Sequence, residues 1–252
     1  MSAFLTDELR ARLAEGETET RFLVEGRLAV EALLESDFAI DAILTSTEIP
    51  DPISETAAER GIPLISWDRR ESESLLGFSF HRGWIGVAQK PRLSFGDWAA
   101  GCLLRRLVVL DGLADPGNVG TIIRNAAAFG FEAVICSASG ASPFNAKAVR
   151  ATAQALFRLP VFVETDWLSE LRRHTPTISL VGTDVRSGAA TLEAFALDPL
   201  ESLAVIFGGE ADGLSDDLLK ACDHRITIPL SSAVESLNVA SASAIVLHAL
   251  RA

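Results

Sequence analysis

The sequence has few of the residues that bind metal ions or form disulfide bonds. Its 252 residues include three cysteines, and no two of them form a CxxC pair. The four histidines have no metal-ligand spacing either, which makes a metal hydrolase the weakest alternative. We therefore expect reduced cysteine thiols and no bound metal ion.

Long apolar runs are also missing. The longest apolar-rich stretch, VASASAIVLHAL (239–250), is far shorter than the roughly 20 residues that a membrane helix needs. The first residues, MSAFLTDELR, are acidic and lack the apolar segment of a secretory signal. These features predict a cytoplasmic protein without a membrane segment.

Positive charge is scarce, with 22 basic against 34 acidic residues and a net charge of −12. This balance argues against binding of nucleic acid through a general basic surface, but it leaves a local basic groove open. The stretch between Glu132 and Glu164 has no acidic residue and contains Lys147, Arg150 and Arg158. We interpret this stretch as a candidate phosphate-binding track; solvated cations on a helix are the alternative.

The distribution of apolar residues predicts two domains. Residues 1–92 fit a small α/β domain, residues 93–104 a linker, and residues 105–252 a larger α/β domain. In the larger domain, six apolar strand-like segments alternate with helical segments, which indicates a parallel sheet covered on both faces. Ligands bind at the carboxyl ends of such strands. The loops after VVLDG, VIFGG and TIPL are therefore the candidate site.

The first loop lies in LADPGNVGTIIRNAAAFGFE (113–132). We expect Asn118 to cap a helix that runs from Val119 to Gly130. Arg124 falls within two turns of that helix start, among apolar residues. Two interpretations stay open: a functional cation, or an arginine whose head reaches water.

The second loop, in VIFGGEADGLSDDLL (205–219), places Glu210 after Gly208 and Gly209. It matches neither GxGxxG nor a phosphate-binding P-loop. An acidic residue beside glycines at a strand end suits a ligand with hydroxyls or positive charge. A tight turn with a solvated glutamate is the alternative.

The third loop, in RITIPLSSAVESLNVASASAIVLHAL (225–250), carries Ser236 and Asn238. It leads into a helix that is apolar nearly all round, and such a helix must be buried. The small residues of this helix suit either core packing or a subunit interface. Ser236 as a plain helix cap is the alternative to a functional role.

Together the three loops read N-x-G-x-I-x-R, F-G-x-E-x-x-G-L and I-P-x(6)-S-L-N in that order. This combination resembles the signature motifs of the SpoU (TrmH-like) RNA methyltransferases of the SPOUT superfamily. The resemblance covers residues 105–252. The segment FLVEGRLAVEALLES (22–36) is similar to the small RNA substrate-binding domain that precedes the catalytic domain in many members.

The resemblance implies an α/β fold with a trefoil knot and a homodimer that forms through the C-terminal domain. The implied reaction transfers a methyl group from S-adenosyl-L-methionine to a ribose 2′-hydroxyl of tRNA or rRNA. The implied catalytic residues are Asn118, Arg124, Glu210, Ser236 and Asn238. The implied cofactor-binding residues are Thr183, Gly208, Gly209, Ile228, Leu230 and Leu237.

The chain departs from the family pattern at two positions. Ser232 stands where the third motif usually has glycine, and Gln154 stands where glycine often follows Arg150. Two alternatives to an RNA methyltransferase stay open. One is a catalytically inactive RNA-binding relative of the same fold, and the other is a dinucleotide-binding enzyme, which the absence of GxGxxG disfavours.

Overall fold

The computed structural model describes residues 13, 15–66, 83–186, 188–197 and 200–251. The N-terminal segment MSAFLTDELR and one histidine, His81, lie outside the described residues. The chain divides into two units. The first unit comprises Met1–Arg92 and Phe144–Arg158, and the second comprises Leu93–Pro143 and Leu159–Ala252.

The described strands and helices alternate along most of the chain. The strands are β1 (Arg21–Glu25), β2 (Ile40–Thr45), β3 (Leu64–Ser66), β4 (Trp84–Gln89), β5 (Arg106–Asp111), β6 (Ala133–Ser137), β7 (Val161–Glu164), β8 (Ser179–Thr183), β9 (Ala190–Thr191), β10 (Leu203–Gly208) and β11 (His224–Thr227). The helices are α1 (Arg27–Leu34), α2 (Asp51–Glu59), α3 (Phe95–Ala99), α4 (Pro116–Ala128), α5 (Ala146–Ala151), α6 (Trp167–His174), α7 (Leu192–Ala196), α8 (Asp216–Ala221) and α9 (Val239–Ala249).

The first unit contains a four-stranded sheet in the order β1-β4-β2-β3. Strand β4 runs antiparallel to β1 and β2, and β2 runs parallel to β3. Phe22, Val24, Ile43 and Ile85 are fully buried. Leu23 is buried as well, so β1 is covered on both of its faces. The N-terminal part of the chain therefore forms a small α/β unit with its own sheet.

The segment Phe144–Arg158 packs with the first unit although it lies inside the predicted domain 105–252. Its ends carry buried phenyl rings. Phe144 lies 5.0 Å from Phe22 and Phe157 lies 5.7 Å from Phe38, measured between ring centroids. The segment joins the first unit because these rings complete its apolar core.

The second unit contains a seven-stranded sheet in the order β7-β6-β5-β10-β8-β11-β9. All described neighbours in it run parallel, which confirms the predicted parallel sheet. The six predicted strands are present, and the two-residue β9 is an addition. Helix α3 lies within the predicted linker 93–104, and its Phe95 is buried in the core of this unit.

The sheet order brings the three candidate loops to one edge. Strands β5 and β10 are neighbours, and β8 lies between β10 and β11. The carboxyl ends of parallel strands meet at the same edge of a sheet. The loops that follow β5, β10 and β11 therefore converge, with the β8 loop between them.

Helix α9 corrects the expectation that the last helix is buried all round. One face packs on α4, where the Nδ2 of Asn125 donates to the Oγ of Ser243 at 2.9 Å. The opposite face, which includes Ser241 and Ile245, is exposed, and Ile245 is 44% exposed. The single chain therefore buries only one face of α9, although apolar residues occur on both faces.

Candidate functional site

The helix of the first motif begins three residues earlier than expected. Asp115, not Asn118, is its N-cap, and the carboxylate of Asp115 accepts a hydrogen bond from the amide of Gly117. Pro116 occupies the first helical position, where its missing N–H leaves no donor unpaired. Asn118 therefore lies inside the first turn, and its side chain is available for other partners.

The side chains of one residue from each motif form a continuous hydrogen-bonded chain. The Nδ2 of Asn118 donates to Oε1 of Glu210 at 2.8 Å. The Nδ2 of Asn238 donates to Oδ1 of Asn118 at 3.2 Å. The residues of these two pairs are 92 and 120 positions apart in the sequence, yet the three loops meet at one point. We call Asn118, Glu210 and Asn238 the motif triad.

Glu210 is the acceptor at the centre of this site. Its Oε2 accepts from the amide of Ala114 at 3.1 Å, and its Oε1 accepts from the amide of Asp115 at 3.3 Å. Partial burial alone would raise the pKa of Glu210, but the hydrogen bonds from Asn118 and from the backbone outweigh it and lower the pKa. Glu210 is therefore ionised at neutral pH.

The turn that carries Glu210 requires glycine at its start. A Cβ on Gly208 would lie 2.4 Å from the carbonyl carbon of Gly213, which no side chain tolerates. Gly209 and Gly213 form a bridge that closes the turn. The glycines thus bring two backbone segments together and set the position of Glu210.

Asn238 has two functions in the structure. Its Oδ1 caps α9 by accepting from the amides of Ala240 and Ser241, while its Nδ2 binds Asn118. The expected alternative, Ser236 as the cap, is therefore wrong. Ser236 is exposed and lines a cleft beside the triad.

A cleft of about 500 Å³ opens beside the motif triad within the second unit. Its walls combine the loops after β8, β10 and β11 with apolar side chains such as Phe207, Ile226 and Val246. All six predicted cofactor-binding residues line it: Thr183, Gly208, Gly209, Ile228, Leu230 and Leu237. The side chain of Thr183 donates to the carbonyl of Ile206 at 2.9 Å, which fixes it against β10.

Arg124 is the predicted catalytic residue that the structure does not join to the triad. It is exposed on α4, and no hydrogen bond or ion pair links it to another described residue. The neighbouring positions Ile122 and Ile123 are fully buried and anchor the helix to the core. Arg124 therefore faces away from the core of its own chain.

The three predicted RNA-binding residues lie on the segment that packs with the first unit. Lys147, Arg150 and Arg158 are all exposed. The Nη1 of Arg150 lies 3.1 Å from Oε2 of Glu25, so an ion pair already compensates part of its charge. Within the described residues, no group of three or more His, Cys, Asp or Glu is arranged to hold a metal ion, and no helix is long and apolar enough to cross a membrane.

Comparisons with known proteins agree with this geometry. The model of the SpoU rRNA Methylase family matches residues 105–248. An uncharacterized tRNA/rRNA methyltransferase of Mycolicibacterium paratuberculosis is 31% identical over 210 residues, which cover 80% of this chain and 67% of that protein. The 23S rRNA (guanosine(2553)-2′-O)-methyltransferase RlmP of Bacillus subtilis is 36% identical over 149 residues, 58% of either chain.

Solved structures show the same fold. The SpoU methyltransferase AviRb from Streptomyces viridochromogenes, crystallised with AdoMet, matches with a TM-score of 0.77 and 24% identity. The match covers 97% of this chain and 92% of AviRb. The chain belongs to the SpoU rRNA methylase family. This membership decides against the dinucleotide-binding alternative.

The two departures from the family pattern have different structural consequences. Gln154 has a φ of +78°, and the preceding Ala153 has a φ of +46°. Glycine adopts such a left-handed conformation freely, which explains why it suits the position of Gln154. Ser232 has no positive φ, so serine replaces glycine there without backbone strain.

Two features of the SpoU site go beyond the sequence predictions. The first is the N-cap Asp115, which the Asp-Pro pair signals because proline favours the first helical position. The second is the loop after β8, which follows a parallel strand as the other three loops do. It contributes Asp184 and Arg186 to the cleft.

Proposed function

We propose that the protein is an S-adenosyl-L-methionine-dependent RNA methyltransferase that modifies a ribose 2′-hydroxyl in tRNA or rRNA. The motif triad at the mouth of the cleft carries this proposal, because it unites one residue from each SpoU motif. Family membership and the 2′-O-methyltransferase RlmP among the relatives support it.

The cleft has the size and chemistry that the cofactor needs. Its volume of about 500 Å³ lies within the range of roughly 300–1,000 Å³ typical of small-molecule sites. Apolar walls suit a purine ring, and the loop backbone offers donors and acceptors for the polar ends. When bound, S-adenosyl-L-methionine supplies an electrophilic methyl group on a sulfonium.

The triad holds its side chains in one orientation. Glu210 accepts from Asn118, and Asn118 accepts from Asn238, so the amide of each asparagine is aligned. Side chains that are already aligned lower the entropic cost of reaching the transition state of methyl transfer. We assign the triad to positioning of the RNA, and Ser236 to the rim that receives the RNA.

We assign Arg124 to electrostatic stabilisation and not to proton abstraction. A guanidinium stays protonated in proteins, since its pKa lies above about 12. A positioned cation can stabilise the alkoxide that develops on the ribose oxygen, or hold the adjacent phosphate. Lys147, Arg150 and Arg158 are proposed to contact phosphates further along the RNA.

We further propose a homodimer through the C-terminal domain. Three exposed apolar side chains lie on α9 and on the loop that leads into it: Val234, Leu237 and Ile245. Arg124 faces outward on α4, the helix on which α9 packs. A second copy of the chain would cover these side chains and complete the site. The trefoil knot and the cytoplasmic location stay predictions.

The direct test is methyl transfer from labelled S-adenosyl-L-methionine to total tRNA and rRNA of a strain that lacks the gene. Wild-type protein is expected to incorporate label, and Arg124→Lys to lose about 100-fold in rate, because lysine keeps the charge but not the planar fork. Arg173→Lys, an exposed arginine on α6, is the matched control and keeps its activity. Near-wild-type turnover of Arg124→Lys would refute positioning by the guanidinium.

A further inference from the structure

One buried oxygen in the cleft lacks a hydrogen-bond partner. Asp184 follows β8, is only 7% exposed, and lines the cleft. Its Oδ1 accepts from the amide of Arg186 at 3.0 Å and from Nε of Arg186 at 2.9 Å. Its Oδ2 accepts no hydrogen bond from any described residue. A buried carboxylate oxygen without a donor is unfavourable, so such groups in proteins call for an explanation.

The charge of Asp184 is already compensated. Arg186 pairs with Oδ1, and the Nη1 of Arg225 lies 3.7 Å from Oδ2, within ion-pair range but beyond a hydrogen bond. Burial alone would raise the pKa of Asp184, but the hydrogen bonds and charges of the two arginines lower it. What Oδ2 lacks is therefore a hydrogen-bond donor and not a counter-ion.

Asp184 lies apart from the helix that carries Asn118 and Arg124. The sheet order β5-β10-β8 places the β8 loop on the far side of β10 from β5, the strand that leads into α4. Adjacent strands are about 4.8 Å apart, so the β8 and β5 loops are separated by about 10 Å at the sheet edge. Asp184 therefore lies away from α4, and the loops after β10 and β11 flank it.

We infer that Oδ2 of Asp184 accepts a hydrogen bond from a neutral donor on the adenosine part of the bound cofactor, either a ribose hydroxyl or the exocyclic amine. This inference rests on the proposed function. A neutral O–H or N–H completes the carboxylate without adding charge. The ammonium of the methionine part is disfavoured there, because it would approach the guanidinium of Arg225 that lies against the same oxygen.

Arg186 explains how the orphan oxygen is held in place. Besides Asp184, its guanidinium donates to Oδ1 of Asp216 at 2.6 Å and to the carbonyl of Leu214 at 2.9 Å. These contacts tie the β8 loop to the start of α8. Asp184 is therefore a preorganised acceptor, and cofactor binding does not require it to change partners.

Calorimetric binding of S-adenosylhomocysteine to the full chain tests the inference without relying on activity. Asp184→Asn replaces the acceptor with an amide and is expected to weaken binding by about tenfold or more. Asp217→Asn is the matched control, because it removes the neighbouring carboxylate on α8, which pairs with Lys220 and does not line the cleft. It is expected to bind as wild type does, and thermal unfolding of both variants reports on folding.

A second ligand identifies the part of the cofactor that is recognised. 5′-Methylthioadenosine retains the adenosine and lacks the amino-acid part, so Asp184→Asn should weaken it by the same factor as S-adenosylhomocysteine. Weakening of S-adenosylhomocysteine alone would overturn the assignment to adenosine. Equal affinities of Asp184→Asn and wild type for S-adenosylhomocysteine would overturn the role of Asp184 but leave the proposed function intact. Failure of the wild type to bind S-adenosylhomocysteine would overturn both.

Discussion

Asn118 was expected to cap α4, but Asp115 caps this helix and Asn118 binds other residues of the site. Asp115 caps the helix, so the amide of Asn118 is free to bind both Glu210 and Asn238. Capping and site assembly would otherwise compete for the same side chain. The site therefore depends on Asp115 as the helix cap, which leaves Asn118 to connect the other two motifs.

Asn238 combines capping with site assembly, and a substitution can separate the two. The Asn238→Asp variant would still cap α9, because aspartate is as good an N-cap as asparagine. Its carboxylate would present a second oxygen to Oδ1 of Asn118 in place of the Nδ2 donor. We expect Asn238→Asp to unfold at nearly the wild-type temperature but to lose about tenfold or more in methyl-transfer rate.

Thermal unfolding and labelled-methyl incorporation measured on the same preparations check this prediction. Asn238→Ala is the comparison, since it removes the cap as well and should lower stability by about 1 kcal/mol. Full activity in Asn238→Asp would show that the contact with Asn118 is dispensable.

At the scale of elements, the left-handed turn after α5 carries strain that the sequence does not relieve. Gln154 holds a φ of +78° without the freedom of glycine. A left-handed conformation costs a residue with a Cβ about 1–2 kcal/mol, which exceeds the entropic cost of glycine. We expect Gln154→Gly to raise the free energy of unfolding by about 0.5–1 kcal/mol.

Denaturant unfolding of Gln154→Gly and Gln154→Ala distinguishes strain from side-chain loss. Alanine retains the Cβ, so it should bring no gain. A lower stability of Gln154→Gly than of the wild type would mean that the glutamine side chain stabilises the turn more than its backbone strains it.

The elements that could be predicted are those with continuous local signals. The apolar runs of β5, β6, β8 and β10 are each enough to specify a buried parallel strand, and the three loops at their ends follow from the parallel order. The start of α4 was misplaced because Asn118 and Asp115 are both good caps, and only the backbone position of Pro116 decides between them.

The remaining parts depend on contacts between residues distant in sequence. The packing of Phe144 and Phe157 with the first unit is invisible locally, because an apolar residue does not specify which core it enters. The same holds for Asp184, whose burial and unpaired oxygen arise only when β8, β11 and α8 come together.

At the scale of the whole molecule, the exposed apolar face of α9 predicts association. Ile245 lies near its centre and is 44% exposed. A charge buried without a partner at a subunit interface prevents association. We expect light scattering to give the wild type a mass twice that of one chain and Ile245→Glu the mass of a single chain, with strongly reduced methyl transfer.

Val163→Glu is the control, because Val163 is as exposed as Ile245 but lies on β7, the outermost strand of the sheet. It should remain a dimer with full activity. A monomeric, fully active wild type would contradict the proposed interface and would place all catalytic residues within one chain.

The position of the transferred methyl group distinguishes a ribose 2′-O-methyltransferase from an enzyme that methylates bases. RNA treated with the protein and labelled methyl donor is digested to nucleosides, and the labelled product is identified by mass spectrometry. We predict a 2′-O-methyl nucleoside, which Glu210→Ala does not produce. A methyl group on a nucleobase, or undiminished product with Glu210→Ala, would refute the proposed reaction.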